Sequence, residues 1–305
     1  MLIPSRDDAL RDLRNVGYYR LAAYWYPFRE IDHVDVDGTV VRSDLLHAGT
    51  TFDDAHALWT FDQRLRLILL EALEQIEVAL RVRTAHCIGA QDPFAHLNAS
   101  HLDTARCVAP VQTPQGPMMA HQWWVARYEE KLASTHDDIL RLYRSRWDLK
   151  PPVWIAVELL DFGMLSTFFR QFLTKAQHSE ISRTFGISQG SFLVNWIKVL
   201  NHVRNMCAHH ARVWNQPVTF RLQRIPTGMS PLLDPLNTLT GTPKTRIYSV
   251  LYLCAFLLDG LGDNSDWMNN AHALLASFPN VPGPTLNDIG APGNWQTHAI
   301  WNTRN

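Results

Sequence analysis

Residues 191–212 read SFLVNWIKVLNHVRNMCAHHAR, a run without proline or glycine in which apolar side chains recur every three or four positions. This period is typical of an α-helix that buries one face. Gly190 and Ser191 are suited to the start of such a helix, and Pro217 prevents it from continuing far beyond Asn215. We therefore predict a helix over Ser191–Trp214 that packs its apolar face against the core.

The other side of this predicted helix carries a narrow polar arc. At about 100° per residue, one arc collects Lys198, His202, Asn205, His209 and Arg212. Arg204 is the exception, because it projects about 140° away from His209 on an ideal helix. A straight helix cannot direct both side chains at one phosphate. Either the helix is distorted near Asn205, or another chain supplies the second half of the site.

Arg204 and His209 are the residue types of a ribonuclease site, because arginine binds phosphate and histidine transfers protons near neutral pH. Three other interpretations remain open. The polar arc could be an ordinary solvated face, or His209 could be buried with Arg204 paired to a carboxylate elsewhere. A metal site at Cys207, His209 and His210 is the weakest, because the other cysteines lie far away and no paired metal-ligand motif is present.

The charge distribution favours a polyanionic partner for this region. The whole chain is close to neutral, with 28 basic and 29 acidic residues. From Ile181 to Leu233, however, there is no Asp or Glu. The basic residues in this stretch are Arg183, Lys198, Arg204, Arg212, Arg221 and Arg224. A local excess of positive charge beside a histidine is what a cleft for RNA requires.

Composition indicates an ordered globular protein, with 46% hydrophobic residues and 11 tryptophans in 305 residues. Four scattered cysteines favour reduced thiols and a cytoplasmic location. The N-terminus lacks the apolar region of a signal peptide, and the most apolar run, Ile247–Leu258, is too short to cross a bilayer. We expect a buried core helix there, no membrane association, no metal and no cofactor.

The pattern along the chain predicts an all-α protein that forms a single unit over residues 1–305, with irregular insertions. Predicted helices cover Asp7–Val16, Tyr18–Tyr26, Asp53–His86, Ala120–Arg144, Val153–Asp161, Leu165–Thr174, Ala176–Phe185, Lys244–Leu261 and Ser265–Ser277. Valines around Asp37-Gly38 predict a small hairpin within residues 29–51. Four prolines make residues 88–117 an irregular insertion, and a loop-rich tail closes the chain.

Several blocks of this sequence resemble the Abi family, the AbiD/AbiF-like group of abortive infection proteins, which belongs to the HEPN superfamily of helical ribonucleases. The blocks are Tyr18–Phe28 (YYRLAAYWYPF), Gly49–Phe52 (GTTF), Leu58–Arg66 (LWTFDQRLR), Glu71–Arg83 (EALEQIEVALRVR) and Arg204–Asn215 (RNMCAHHARVWN). The resemblance covers most of residues 10–215 and adds little for the last ninety residues. Several ordered blocks are far more specific than one Arg-x4-His pair.

The resemblance implies a HEPN-like helical bundle with an N-terminal helical extension over residues 1–52. The HEPN-like core would cover residues 53–262, and a C-terminal helix and tail would cover residues 263–305. It implies an endoribonuclease site where two HEPN domains of a homodimer meet. By motif position, His209 would be the general acid and base, Arg204 would stabilise the phosphate, and Asn205 would orient the histidine or contact RNA. Cleavage would proceed by attack of the ribose 2′-OH without a metal.

Further residues are candidates for RNA binding. They are His210 and Arg212 beside the motif, Lys198 and His202 on the polar arc, and Arg20 and Arg64 near the cleft. The aromatic block Tyr18–Tyr26 could stack on single-stranded RNA, but we favour aromatic side chains that close the base of the bundle.

Two classes of function follow from the sequence. The first is an antiphage RNA-cleaving toxin held in check by an antitoxin or a cognate small non-coding RNA. The second is a non-catalytic RNA-binding component of a ribonucleoprotein.

Overall fold

The computed structural model describes residues 1–36, 40–147, 150–239, 245–262 and 265–301. It is mostly helical, with 62% helix and 8% strand, so the predicted helical class is confirmed. The strands form two separate two-stranded antiparallel sheets within the described residues.

The helices are α1 (Arg6–Val16), α2 (Tyr18–Trp25), α3 (Phe52–Gly89), α4 (Thr104–Cys107), α5 (Ala120–Ser134), α6 (Asp138–Trp147), α7 (Val153–Ala156), α8 (Phe162–Phe172), α9 (Lys175–Arg183), α10 (Gly190–Ala208), α11 (Asp234–Thr238), α12 (Ile247–Asp259) and α13 (Ser265–Ala276). The strands are β1 (Arg29–Val34), β2 (Val40–Leu46), β3 (Pro110–Thr113) and β4 (Gly116–Met119). Short 3-10 turns at Tyr26–Phe28, Ala95–Leu97, Ala99–His101, Val157–Leu159, Leu286–Ile289, Trp295–Thr297 and Ala299–Trp301 connect or follow them.

The long helix α3 is the central element of the fold. Its 38 residues span about 57 Å at 1.5 Å per residue. Thr51 starts it with a capping box, in which the Thr51 and Asp54 side chains each accept a hydrogen bond from the other residue's N–H. Helices α2, α7, α9, α10, α12 and α13 all pack against α3. The predicted helix Asp53–His86 is therefore confirmed, with slightly wider bounds.

Helix α12 lies inside the core, and every side chain from Ile247 to Leu258 is buried. The sequence predicted a buried helix here, and this is confirmed; the predicted start at Lys244 lies outside the described residues. Over the described part of the chain, no helix combines the length and hydrophobicity that a bilayer crossing requires. The four cysteines are free and buried.

The N-terminal hairpin is confirmed, since β1 pairs with β2 and Arg29 lies opposite Leu46. The turn predicted at Asp37-Gly38 lies outside the described residues. Before the hairpin, Ser5 caps α1 by accepting from the N–H of Asp8 at 3.3 Å.

The helix predicted over Ala120–Arg144 is wrong, because α5 ends at Ser134 and α6 begins at Asp138. Between them, Thr135 accepts from the N–H of Asp137 at 3.2 Å, and Asp137 accepts from the N–H of Leu140 at 3.0 Å. Such short side chains compete with the helix for backbone groups and cap the next helix.

The insertion predicted to be irregular contains a hairpin, in which β3 and β4 pair from Pro110 opposite Met119 to Thr113 opposite Gly116. The prolines in this segment led to the prediction of irregular structure, because proline usually argues against a strand. They are tolerated because both strands of a two-stranded sheet are edge strands. The segment predicted as a helix over Val153–Asp161 is also shorter, with α7 followed by a 3-10 turn.

Candidate functional site

The candidate site lies at the C-terminal end of α10, whose apolar face is fixed in the core. The buried apolar side chains of α10 are Phe192, Leu193, Trp196, Ile197, Val199, Leu200, Val203 and Cys207. Because a close-packed core leaves this helix little freedom to rotate, the direction of its exposed side chains is fixed as well.

The helix ends in a Schellman motif, in which one left-handed residue reverses the chain. The N–H of His210 donates to the carbonyl oxygen of Cys207 at 3.0 Å, and the N–H of Ala211 donates to that of Met206 at 2.9 Å. His210 is the left-handed residue, with a φ of 57°, and no other non-glycine residue in the described ranges has a positive φ. A residue with a Cβ loses about 1–2 kcal/mol in this conformation.

The predicted end of this helix at Trp214 is therefore wrong. The helix stops at Ala208, and glycine, the usual signal for such an end, is absent from position 210. Arg212 consequently leaves the polar arc on which an ideal helix would place it beside Lys198.

After the turn, the chain is held on α3 by one buried carboxylate. Asp62 has no exposed surface, and its Oδ1 accepts from the N–H of Val213 at 3.1 Å and of Trp214 at 2.8 Å. Its Oδ2 accepts from the Tyr24 hydroxyl at 2.5 Å and from the Arg66 guanidinium. Asp62 thus joins α2, α3 and the segment that follows α10.

Asp62, Tyr24, Arg66, Val213 and Trp214 form the Asp62 cluster. Burial raises the pKa of the Asp62 carboxyl above its ordinary value, and the Tyr24 hydroxyl, the Arg66 charge and the two backbone N–H groups offset part of that rise. All four donors favour the carboxylate. Burial and the Asp62 charge also raise the pKa of Tyr24, which therefore keeps its proton and donates it.

Two arginines complete this attachment. Arg66 also donates to the carbonyl oxygen of Ala211 at 3.3 Å. The Arg212 guanidinium donates to the carbonyl oxygen of Ala23 on α2, and burial lowers its pKa. Arg212 is a predicted RNA ligand, but one N–H group of its guanidinium is already hydrogen-bonded to the protein's own backbone.

Sequence reasoning missed Asp62 as a site residue. The available signal was its position: Leu58, Asp62, Leu65 and Leu69 share one apolar face of α3, and a charge on a buried face needs partners. Its partners Val213 and Trp214 are about 150 residues away in sequence, which no local pattern can identify.

Arg204 lies beside Asn205 on α10, and its charge acts on Glu77 of α3. It is half-buried, and its guanidinium donates to the Asn205 side chain at 3.4 Å. Burial raises the pKa of the Glu77 carboxyl on α3, and the charges of Arg81 and then Arg204 offset part of that rise. Arg204 and Asn205 thus lie together, and a carboxylate of α3 lies in the field of Arg204.

His209 and His210 are both exposed at the end of α10. Cys207, which could have joined them in a metal site, points into the core instead. Burial raises the pKa of its thiol to about 12. These three side chains do not converge.

Lys198 and His202 meet at an aromatic ring. The Lys198 ammonium lies 3.9 Å from the centre of the Phe220 ring, and the His202 ring meets the same ring edge-on at 5.2 Å. Burial lowers the pKa of His202. The polar arc predicted for α10 is therefore partly covered by the segment that carries Phe220.

The N-terminal aromatic block divides between core and surface. Tyr24 and Phe28 are buried, as expected for side chains that close the bundle, whereas Tyr18 and Tyr19 are 61% and 90% exposed. Arg20 and Arg64 are both exposed, on α2 and α3 respectively.

Comparison with curated proteins and with solved structures found no match. A family model described as Abi-like protein matches residues 11–215. This range ends with Asn215, directly after the segment held by Asp62, and includes every residue of the Asp62 cluster. The match covers two thirds of the sequence, and the chain belongs to the Abi-like protein family.

Proposed function

We propose that this protein is a HEPN-type endoribonuclease that acts in abortive infection and cuts RNA by attack of the ribose 2′-OH. Membership in the Abi-like family supports a role in abortive infection. The observation that carries the chemistry is the exposed pair His209-His210, fixed at the end of α10 by the Schellman motif.

Backbone strain supports a functional role for this pair. His210 occupies a left-handed position that glycine would fill at lower cost, and such strain often accompanies function. The surrounding chain, from Ile181 to Leu233, contributes no acidic side chain. An RNA phosphate that approaches the two imidazoles therefore meets no carboxylate from this stretch.

The proposed reaction is a transesterification. His209 accepts the proton of the 2′-OH as O2′ attacks phosphorus, and the bond from phosphorus to O5′ breaks. O5′ then takes a proton from a protonated histidine, which leaves a 2′,3′-cyclic phosphate and a 5′-hydroxyl. A guanidinium beside the phosphate offsets the charge that builds on its oxygens.

On an ideal helix Arg204 projects about 140° away from the His209 of its own chain, and its charge acts on Glu77 of α3. We therefore propose a homodimer in which the ends of two α10 helices meet across a two-fold axis. Each cleft would then combine groups from both copies.

A second candidate function is RNA binding without cleavage, as part of a ribonucleoprotein. The position of Arg204 favours it, because a guanidinium that donates to the Asn205 side chain and lies in the field of the Glu77 carboxyl is less available to a phosphate. Under either function, the partners we propose are RNA, with a cognate small RNA or an antitoxin protein as the neutralising factor. Sequencing the RNA that copurifies with the protein tests for a cognate RNA.

The decisive experiment is RNA cleavage by the purified His209→Ala protein. We expect cleavage to disappear while helicity and melting temperature stay at wild-type values, because His209 is exposed. His136→Ala is the matched control, since His136 is exposed in the turn between α5 and α6. Undiminished cleavage by His209→Ala would refute the assignment. Arg204→Ala should also lose cleavage, but it requires a melting curve because Arg204 is half-buried.

The mechanism and the dimer have separate tests. Cleavage should persist in EDTA, and a substrate with 2′-deoxyribose at the scissile position should resist. Activity that disappears with EDTA and returns with Mg²⁺ would point to metal-assisted hydrolysis instead. Mixing His209→Ala chains with wild-type chains should lower the activity per wild-type chain. A fully active monomer in light scattering would refute the composite site.

A further inference from the structure

A second basic feature lies at the opposite end of α10 from His209. It is a surface groove of about 600 Å³ between α4, α8, α9 and the first half of α10. Four cationic side chains line it, and they are Arg106, Arg170, Lys175 and Lys198. No Asp or Glu is among its lining residues in the described part of the chain.

Three of these cations have no carboxylate partner in the described residues, and one of the three, Lys198, also lies over the Phe220 ring. Within the described residues, no carboxylate lies within 4.0 Å of Arg170, Lys175 or Lys198, whereas Arg106 pairs with Asp103 at 3.5 Å. Arg170 is half-buried. An arginine that is partly removed from water without a carboxylate partner retains an unbalanced charge.

The local sequence explains why α9 and α10 can form the walls of this groove. Gly190, the first residue of α10, lies directly against α9. A Cβ added there would come within 2.7 Å of the Cβ of His178 and 2.9 Å of the backbone nitrogen of Ser179. Only glycine permits this close approach, which brings Lys175 on α9 and Lys198 on α10 to one groove.

The lining favours a phosphate backbone over an acidic peptide. Hydroxyl and amide side chains accompany the cations, at Ser179, Ser188, Ser191, Asn195 and Gln223, and Val194 is the only hydrophobic side chain among the lining residues in the described ranges. A peptide would find only one hydrophobic side chain, that of Val194, to pack against among these lining residues. Phosphodiester oxygens, in contrast, accept hydrogen bonds from guanidinium, ammonium and hydroxyl groups.

We propose that this groove binds the phosphodiester backbone of the RNA strand that is cut at His209. Lys198 and His209 are eleven residues apart on α10 and at its end, or about 16 Å along the axis. A strand held in the groove can therefore extend to the histidine pair. This inference rests on the proposed ribonuclease function, and it adds a binding site that lies away from the scissile phosphate.

The test measures binding of a single-stranded 2′-O-methyl RNA, which cannot react through its 2′ oxygen, as a function of salt. The variant is Lys175→Gln/Lys198→Gln, which removes one cation from α9 and one from α10, neither of them paired with a carboxylate in the described residues. The matched control is Arg14→Gln/Arg141→Gln, which removes the same charge from exposed positions on α1 and α6. Melting curves of both double variants check that the fold is intact.

Each lost contact to a single strand lowers the slope of log K against log salt by about 0.7. The loss of two contacts therefore lowers it by about 1.4. If the variant and the wild type bind equally at 1 M salt, the variant should bind about 25-fold more weakly than the wild type at 0.1 M salt. The control should bind like the wild type. Equal affinity and equal slope in the two double variants would overturn the proposal. It would also be overturned if the wild type bound polyglutamate as tightly as RNA, or if it did not bind RNA.

Because the probe cannot be cut, its binding tests the groove without testing cleavage, and each of the two proposals can be refuted without the other. Weak binding by the groove variant, together with full cleavage by His209→Ala, would leave the groove as an RNA site and refute the chemistry. Normal binding by the groove variant, together with loss of cleavage in His209→Ala, would refute the groove alone.

Discussion

Replacing Asp62 with alanine should destabilise the protein more than any single change at the exposed site. Asp62 is completely buried and accepts hydrogen bonds from Tyr24, Arg66, Val213 and Trp214. Alanine removes the acceptor for all four donors at once. It also leaves the buried Arg66 guanidinium without a counter-charge.

The magnitude follows from the partners. Breaking a buried ion pair by removal of one member costs about 3–5 kcal/mol. The backbone N–H groups of Val213 and Trp214, which lose their acceptor, add at least about 1 kcal/mol. Water that enters the space left by the carboxylate can accept from them and so keeps this second cost small. We expect a loss of about 4–6 kcal/mol. At about 2 °C per kcal/mol for a chain of this size, the melting temperature should fall by about 8–12 °C.

Thermal melting followed by circular dichroism measures this effect. Tyr24→Phe removes one donor to the carboxylate and should cost less, about 1.5–3 kcal/mol. Glu71→Ala, at an exposed position of α3, is the control and should stay within about 0.5 kcal/mol of the wild type. An Asp62→Ala protein that melts within 2 °C of the wild type would refute the role assigned to this carboxylate. Hydrogen exchange should also quicken at the amides of Val213 and Trp214.

Three further predictions concern stability. Burial lowers the pKa of the His96 imidazole to about 4, so the unfolded chain binds more protons than the folded protein, and stability should fall by about 3 kcal/mol from pH 6.5 to pH 4. Among the described residues neither ring nitrogen of His96 has a hydrogen-bond partner, so His96→Leu breaks no hydrogen bond. It should flatten this pH dependence in melts across that range, and an unchanged slope would contradict the prediction. His210→Gly should relieve the left-handed strain and stabilise the protein by about 0.5–1 kcal/mol while RNA binding weakens; a lower melting temperature would contradict the strain argument. Gly190→Ala should cost about 1–3 kcal/mol because its Cβ would collide with His178, whereas Gly293→Ala, with open space around it, should melt like the wild type.

The features that the sequence predicted correctly depend on neighbouring residues. The period of apolar side chains in α3 and the unbroken apolar run of α12 each reflect one helix in contact with the core, so the pattern is complete within the segment. The mostly helical class and the N-terminal hairpin follow from the same local signals. The hairpin β3–β4 was missed because proline usually argues against a strand, and that argument weakens at sheet edges.

The features that the sequence could not predict depend on distant residues or on an unusual choice at one position. The end of α10 was misplaced because His210 occupies the place of the expected glycine. The Asp62 cluster joins three segments that are far apart in the chain, and the basic groove draws its cations from four helices. The spacing of apolar residues along the chain indicates neither the Asp62 cluster nor the basic groove.

The stretch Arg204–Asn215 combines two structural tasks, and this affects how mutations in it must be interpreted. Its first half ends α10 and presents His209 and His210 to solvent, while its second half, from Ala211 to Trp214, is attached to α2 and α3. Loss of activity on mutation of Arg212 would therefore reflect displacement of the histidine pair as readily as loss of an RNA contact. Loss of activity at His209, whose side chain is exposed, has no such structural explanation. The catalytic proposal is consequently tested at His209, and the Asp62 attachment is tested by melting and hydrogen exchange.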